Sequence, residues 1–226
     1  MTESDASNPS GFVEVRPYRS EDRAAVRNIC YATGLLGNPI TALVPDQELF
    51  ADLWTAAYTD GFPELALVAT LEGVTIGYVI GVADARALSL VFRRSVLPLV
   101  LGRLVRGEYR KWRESLPHLF RLALELATHA PAARFPAHLH INLLESARGH
   151  GVGRKLLERF LMQLEAQGVP GVQLSTTDRN EAAVHLYERL GFRVSSSSET
   201  GLYAGSVEGI VHRLVMARTF GSEKQS

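Results

Sequence analysis

The chain has 226 residues, of which 46% are hydrophobic and 21% are charged. This ordinary composition excludes a wholly disordered chain and a collagen-like repeat. Lys plus Arg and Asp plus Glu both total 24, so the net charge gives no overall attraction to nucleic acid or membrane. The single cysteine, Cys30, excludes an internal disulfide and a multi-cysteine zinc site. A polar start and the lack of a long uncharged apolar run predict a soluble, cytoplasmic protein.

Hydrophobic periodicity predicts one mixed α/β domain over residues 12–218, with disordered tails at 1–11 and 219–226. The predicted strands, in chain order, are 12–18, 65–71, 74–82, 137–144, 172–177, a segment around 194, and 209–217. The first predicted helix begins at Ser20 and is stopped by Gly34, and the other predicted helices cover 45–58, 151–167 and 180–190. The turn Glu72-Gly73 joins the second and third strands as a hairpin. The serine run 195–198 is interpreted as a loop or the end of a strand.

A segment between the third and fourth strands, residues 86–136, is unusually basic. It has nine Arg or Lys and two Glu before residue 122, and it is rich in Leu and Val. We interpret it as two or three amphipathic helices that pack on the sheet and expose a basic face. A substrate lid, a partner or homodimer surface, and a membrane-surface contact remain open alternatives.

A glycine-rich stretch lies between the predicted strand 137–144 and the next helix. It reads Arg148, Gly149, His150, Gly151, Val152, Gly153, Arg154. The free N–H groups and the dipole of a helix N-terminus favour phosphate, and two arginines add positive charge. A Rossmann fingerprint would need its third glycine where Arg154 stands, and no Gly-Lys-Ser/Thr sequence is present. A structural turn without a ligand remains the alternative.

A second motif follows one strand later and reads N-x-x-A-x-x-x-Y-x-x-x-G-F from Asn180 to Phe192. Asn180 and Tyr187 are seven residues apart, so they share a helix face. Together with R-x-x-G-x-G from Arg148, this motif resembles the GNAT N-acetyltransferase superfamily. The resemblance implies a twisted, mostly antiparallel mixed sheet flanked by helices, with the helical insert after the third strand. The match covers most of the chain from about residue 13 to 217, apart from the insert.

The resemblance also implies site roles and a co-substrate, acetyl-CoA, with no metal. The loop would bind the pyrophosphate, and Asn180 would contact the pantetheine arm. The strand backbone at Ile141, Asn142 and Leu143 would pair with pantetheine as an added strand would. Tyr187 would be the general acid that protonates the departing thiolate; a packed helix tyrosine is the alternative.

His138 and His140 are the candidate general bases, because they lie on one side of the same predicted strand and a histidine side chain in solution has a pKa near 6.5. A partly buried pair with no catalytic role is the alternative. Other family members carry histidines on this strand one residue out of phase, and a β-bulge would restore the phase. A zinc site lacks a third ligand of suitable spacing. The strand also resembles bacterial acetyltransferase-like proteins related to the C-terminal domain of O-GlcNAcase, although Glu145 stands where that group often has proline.

The predicted function is therefore transfer of acetyl from acetyl-CoA to a primary amine of a small molecule or peptide, by direct attack. The alternative is an acetyl-CoA-binding module with a regulatory or partner-binding role and no robust transfer activity. The acceptor pocket is expected from residues 33–58 and from the insert. Nucleic acid is not an expected partner, because the basic insert lacks interleaved aromatic residues.

Overall fold

The structure is a computed structural model that describes residues 12–125, 133–203 and 207–221. The strands are β1 Val13–Pro17, β2 Ala66–Leu71, β3 Val74–Val82, β4 Ala137–Leu143, β5 Gly171–Thr177, β6 Arg193–Thr200 and β7 Val211–Thr219. The helices are α1 Arg23–Thr33, α2 Gln47–Gly61, α3 Ala85–Val91, α4 Leu97–Val105, α5 Trp112–Glu125, α6 Val152–Ala166 and α7 Glu181–Arg189. The predicted mixed α/β class is confirmed. Across the described ranges, no helix is long and apolar enough to cross a membrane.

The seven strands form one sheet in the order β1-β2-β3-β4-β5-β7-β6. Every neighbouring pair is antiparallel except β4 and β5. These two parallel strands are paired only at Ala137 with Val172 and at His138 with Gln173. Because β4 continues to Leu143 and β5 to Thr177 without further pairing, the sheet opens into a wedge at this point.

Helices cover both faces of the sheet, and strand alternation divides the core between them. Val79 and Leu139 face α6, where Leu156 and Phe160 are fully buried. The next residues along β3, Tyr78 and Ile80, face α1 and α2 instead, together with Val26 and Phe50. Burying an apolar side chain of this size stabilises the fold by about 1.5–3 kcal/mol. The two cores thus hold β3 and β4 rigidly on one side of the wedge.

The basic insert is helical, as predicted, over 85–105 and Trp112–Glu125, and its remainder at 126–132 lies outside the described residues. A five-residue π-helical stretch, Phe92–Val96, joins α3 and α4 into one continuous helix. The prediction that the insert packs on the sheet is wrong in the main. Its apolar residues pack chiefly on α2, around Val96, Val100 and Tyr109, because α1 and α2 already cover that face.

A buried carboxylate ties the insert to α2. Asp52 is 1% exposed and accepts hydrogen bonds from Arg27, Arg103 and the Tyr109 hydroxyl, the last at 2.6 Å. Asp46, the N-cap of α2, accepts from the backbone N–H of Lys111 at 2.7 Å. Hydrogen bonds to a buried carboxylate hold the insert in place on α2. If the insert moved away, the donors would lose this acceptor, which is unfavourable for groups removed from water. The insert is therefore part of the body of the protein.

Three boundary predictions differ from the structure. The predicted tail 219–226 begins too early, because Thr219 is the last residue of β7 and Phe220 donates its backbone N–H to Pro170 O at 2.9 Å. The run Ser195–Ser198 lies inside β6 rather than in a loop, because β6 pairs with β7 through a register shift between Val194 and Ser196. The predicted helix at Ser20 begins as a single 3₁₀ turn, Ser20–Asp22, before α1. Residues 1–11 and 222–226 of the predicted tails lie outside the described residues.

Candidate active site

The wedge between β4 and β5 leaves strand backbone without a strand partner. The bond from Leu144 N to Ile76 O, at 2.9 Å, fixes the alternation of hydrogen bonds between β3 and β4. By that alternation, the amide groups of Leu139, Ile141 and Leu143 point away from β3 and toward the wedge. The predicted backbone contact at 141–143 therefore reduces to Ile141 and Leu143, while Asn142 directs its backbone to β3. An extended ligand can pair with such an edge.

The glycine loop has the backbone shape that the sequence predicts. Gly149 and Gly151 have φ of 77° and 73°, and a Cβ at either position would meet no atom within 4 Å. Gly151 is the N-cap of α6, so the free N–H groups of Val152 and Gly153 lie in its first turn. A Cβ at Gly153 would be 3.1 Å from Leu143 Cδ1, so this glycine brings α6 close to the end of β4. The loop thus offers N–H groups beside open space.

The cofactor half of the cleft, defined as the part between this loop and α7, carries only positive formal charge along its described lining. Its arginines are Arg148, Arg154 and Arg189. Arg154 pairs with Glu158 one turn later, at 2.7 Å. Arg148 donates to Gly37 O at 2.6 Å, which ties the loop to the chain after α1. The sequence analysis missed Arg189, although its place in the last turn of α7 was readable from the second motif.

Asn180 and Tyr187 lie where the cofactor half meets the second half of the cleft. Asn180 is the N-cap of α7, and Tyr187 is 7% exposed with its ring 5.9 Å from that of Phe192. The Tyr187 hydroxyl makes no hydrogen bond to any residue that the structure describes. Burial raises the pKa of Tyr187, so the phenol is protonated at neutral pH. The structure brings both residues to the same place.

The two candidate bases occupy different positions. Both side chains face α1 and α2, and β4 pairs with β3 without a bulge, so the phase shift from the family pattern stands. His140 lines the cleft, with its ring 6.0 Å from Trp54. His138 lies behind it, with Nδ1 3.1 Å from the Tyr58 hydroxyl. Burial lowers the pKa of His140 to about 4, so its imidazole is neutral at pH 7.

The acceptor half of the cleft, defined as the part between α2, β5 and β7, was largely missed by the sequence analysis. Aromatic side chains Phe50, Trp54 and Tyr203 line it. Arg213 also lines it and donates to Ser175 Oγ at 3.0 Å. Of the predicted stretch 33–58, this half is lined by residues of the segment 33–43 and by Phe50 and Trp54 of α2, and their role in acceptor binding stays a prediction. The insert supplies none of the described lining residues and acts on this half through α2.

His150 is the predicted loop residue that the structure places elsewhere. Its exposed side chain lines a separate depression with Phe12 and Val13, while its neighbours line the cofactor half. Its predicted contact with the cofactor stays a prediction for the backbone alone. In the described part of the chain, no group of three or more His, Cys, Asp or Glu side chains could hold a metal ion.

A glycine loop at the N-terminus of α6, a split parallel strand pair and a buried tyrosine at their junction line one cleft. The model of the acetyltransferase (GNAT) family matches residues 38–192, more than half of the chain. The chain belongs to this family. The narrower resemblance to the O-GlcNAcase group stays a prediction.

Several solved structures have the same fold as this chain. The crystal structure of SsHAT is 33% identical over 93% of this chain and 99% of that chain, with a TM-score of 0.68. A GCN5-related N-acetyltransferase from Kribbella flavida shows the same fold at 18% identity, covering 92% and 98%, with a TM-score of 0.59. So does yncA from Salmonella typhimurium, determined with its cofactor acetyl-CoA, at 16% identity, 95% and 98% coverage and a TM-score of 0.57.

Curated relatives match over a short stretch only. The mycothiol acetyltransferase of Streptomyces avermitilis is 50% identical over 46 residues, which is 20% of this chain and 15% of that protein. The mycothiol acetyltransferase of Propionibacterium freudenreichii is 43% identical over 49 residues, or 22% and 16%. The chain thus matches less than a fifth of the length of these relatives.

Proposed function

We propose that the protein is an N-acetyltransferase that moves the acetyl group of acetyl-CoA to a primary amine of a small molecule or peptide. The observation that carries the proposal is the continuous cleft that runs from the glycine loop, along the free edge of β4, to Tyr187 and His140. Its cofactor half has three arginines and no carboxylate along the described lining, which suits a ligand with several phosphates. Its acceptor half is aromatic and suits a separate substrate.

Acetyl-CoA would bind with its pyrophosphate on the N–H groups of 151–153 and its pantetheine arm along Ile141 and Leu143. Asn180, which has no capping bond of its own on α7, would contact the arm from the other side. Arg148 and Arg189 add long-range attraction at the mouth of the cleft. This mode uses backbone groups that the fold otherwise leaves without partners.

The reaction would be direct attack of the neutral amine on the thioester carbonyl. The N–C bond forms, the C–S bond breaks, and the amine proton passes to His140 or through water to solvent. Because the pKa of His140 is near 4, the imidazole accepts this proton briefly and passes it on. The N–H groups of β4 that point into the wedge would stabilise the developing oxyanion. Tyr187 would give its hydroxyl proton to the thiolate.

The substitution Tyr187→Phe tests the chemistry. It removes only the hydroxyl, so acetyl-CoA should still stabilise the variant against heat, by about 2.7 kcal/mol at 100 times its dissociation constant. Turnover, measured as free-thiol release with a panel of amines, should fall by about 10²–10⁴-fold. The control is Phe192→Leu, which perturbs the neighbouring ring but leaves the hydroxyl in place.

Three outcomes would contradict the proposal or one of its steps. No thermal shift at millimolar acetyl-CoA removes its binding step. A clear thermal shift with acetyl-CoA, but no thiol release with any amine, would favour the alternative, in which the protein binds acetyl-CoA without transferring its acetyl group. Full turnover of Tyr187→Phe in a chemistry-limited assay makes Tyr187 a packing residue and assigns the proton to water.

A further inference from the structure

The acceptor half of the cleft contains a charged group that the proposed reaction does not use. Arg213 on β7 is 8% exposed and lines this half. Its guanidinium donates to Ser175 Oγ on β5 at 3.0 Å. This side chain therefore places a fixed positive charge on the wall of the acceptor half.

A second, independent observation lies beside it. Thr177 is paired with Arg213 across β5 and β7, and directly opposed residues place their side chains on the same face. The Thr177 hydroxyl is buried, lines the same half and has no hydrogen-bond partner among the described residues. Because a buried hydroxyl without a partner is unfavourable, it marks a place where a ligand can supply one.

The formal charge of this half is also one-sided. Along its described lining, Arg213 is the single Arg or Lys and there is no Asp or Glu. A polyamine or other polycationic acceptor would find no carboxylate there and one repelling charge. One guanidinium and one hydroxyl suit a monoanion such as a carboxylate, whereas a phosphate dianion would call for more donors.

We propose that Arg213 and Thr177 form an anion subsite that binds a carboxylate of the acceptor, so that the preferred acceptors are aromatic or apolar amines that also carry a carboxylate. This inference rests on the proposed function. Arg213 contributes a charge-assisted hydrogen bond, and Thr177 donates its hydroxyl proton to the second carboxylate oxygen. In the sheet order β4-β5-β7, this subsite lies across the wedge from His140, so one acceptor can place its amine and its carboxylate at opposite walls.

The test uses a matched pair of non-reacting probes, phenylacetate and phenylacetamide, titrated into the full chain by calorimetry or NMR without acetyl-CoA. The aromatic ring is common to both, so the difference reports the carboxylate alone. We expect phenylacetate to bind at least about 10-fold more tightly, since a charge-assisted hydrogen bond contributes about 1.5–3 kcal/mol. Equal affinities, or no binding of either probe, would overturn the subsite.

The variant Thr177→Val makes the test specific. It replaces a hydroxyl without a partner by a methyl group, so thermal stability should stay unchanged or rise. The affinity for phenylacetate should nevertheless fall by about 3–10-fold, while that for phenylacetamide changes less. Arg213→Gln should bind phenylacetate and phenylacetamide with about equal affinity. If Arg213→Gln does not fold, the subsite is still tested by the ratio of the two probe affinities in the wild type and in Thr177→Val. A Thr177→Val protein with undiminished preference for phenylacetate would contradict the role of the hydroxyl.

Failure of this inference can be told from failure of the proposed function. Acetyl-CoA binding and thiol release test the enzyme and involve neither Arg213 nor Thr177 directly. If both occur but amines with a free carboxylate are acetylated no better than their carboxamides, the enzyme stands and the subsite falls. If acetyl-CoA gives no thermal shift while phenylacetate is preferred, the subsite stands and the proposed enzyme falls.

Discussion

The cofactor half and the acceptor half of the cleft are built in opposite ways. The cofactor half comes mostly from one piece of chain, residues 141–189, and presents backbone N–H groups at a helix start and a strand edge. The acceptor half gathers single side chains from α1, α2, β4, β5 and β7 and from the segment 200–203. One half therefore depends on local turn chemistry, and the other on the packing of distant elements.

The largest expected effect comes from breaking the support of the acceptor half. Asp52→Ala removes the carboxylate that joins α2 to Arg27, Arg103 and Tyr109. The two arginines keep only the more exposed carboxylates of Glu48 and Glu108, and the buried Tyr109 hydroxyl loses its acceptor. We expect the free energy of unfolding in urea to fall by about 3–5 kcal/mol. Hydrogen exchange over 85–125 should also accelerate.

The matched control for that variant is Glu108→Ala. Glu108 also accepts from Arg103, but it is far more exposed, so its loss should cost much less than the loss of Asp52. A similar small loss for Asp52→Ala would show that the insert is held by its apolar contacts alone.

The second effect breaks the cofactor half. In Gly151→Asp, a carboxylate would stand where the phosphates bind, and acetyl-CoA affinity measured by calorimetry should fall by at least about 100-fold. The control is Gly151→Asn, which has nearly the same shape and the same tolerance for φ near 73°, but no charge. It should lose about 10-fold or less. Equal losses in the two variants would mean that loop shape rather than charge decides binding.

The backbone geometry of the cofactor half was predictable from the sequence because its signals are local. Glycines at 149 and 151 are needed for the left-handed backbone, and the spacing from Asn180 to Tyr187 places both on one side of α7. The hairpin of β2 and β3 was equally readable, because Glu72 and Gly73 take positive φ at the turn. Each of these features is decided by a few neighbouring residues.

The acceptor half was not readable for the converse reason. The pairing of Thr177 with Arg213 depends on β7 entering the sheet between β5 and β6, which no local pattern indicates. The serine run in β6 lacks the apolar alternation of a strand, because β6 is an exposed edge. The separate positions of His138 and His140, one behind the other, follow from how Trp54 and Tyr58 pack on β4. Such placements need the tertiary structure.

The smallest expected effect sharpens the comparison through pH, because the described lining of the acceptor half includes a half-buried histidine, His140, and that of the cofactor half includes none. The pKa of His140 is about 4 in the folded chain and about 6.5 in the unfolded chain. The unfolded chain therefore binds more protons between these values, so stability is present above pH 6.5 and is lost as pH falls toward 4. From pH 6.5 to 5 the free energy of unfolding should fall by up to about 1.5 kcal/mol from this residue. The rings that face His140 are those of His138, Tyr58 and Trp54. The measurement therefore compares wild type with His140→Gln, which keeps His138, by urea unfolding at several pH values. The free energy of unfolding should depend less steeply on pH in the variant. Identical slopes would mean that His140 is hydrated through the open cleft, and it could then hold the amine proton as an ordinary imidazole base rather than pass it on at once.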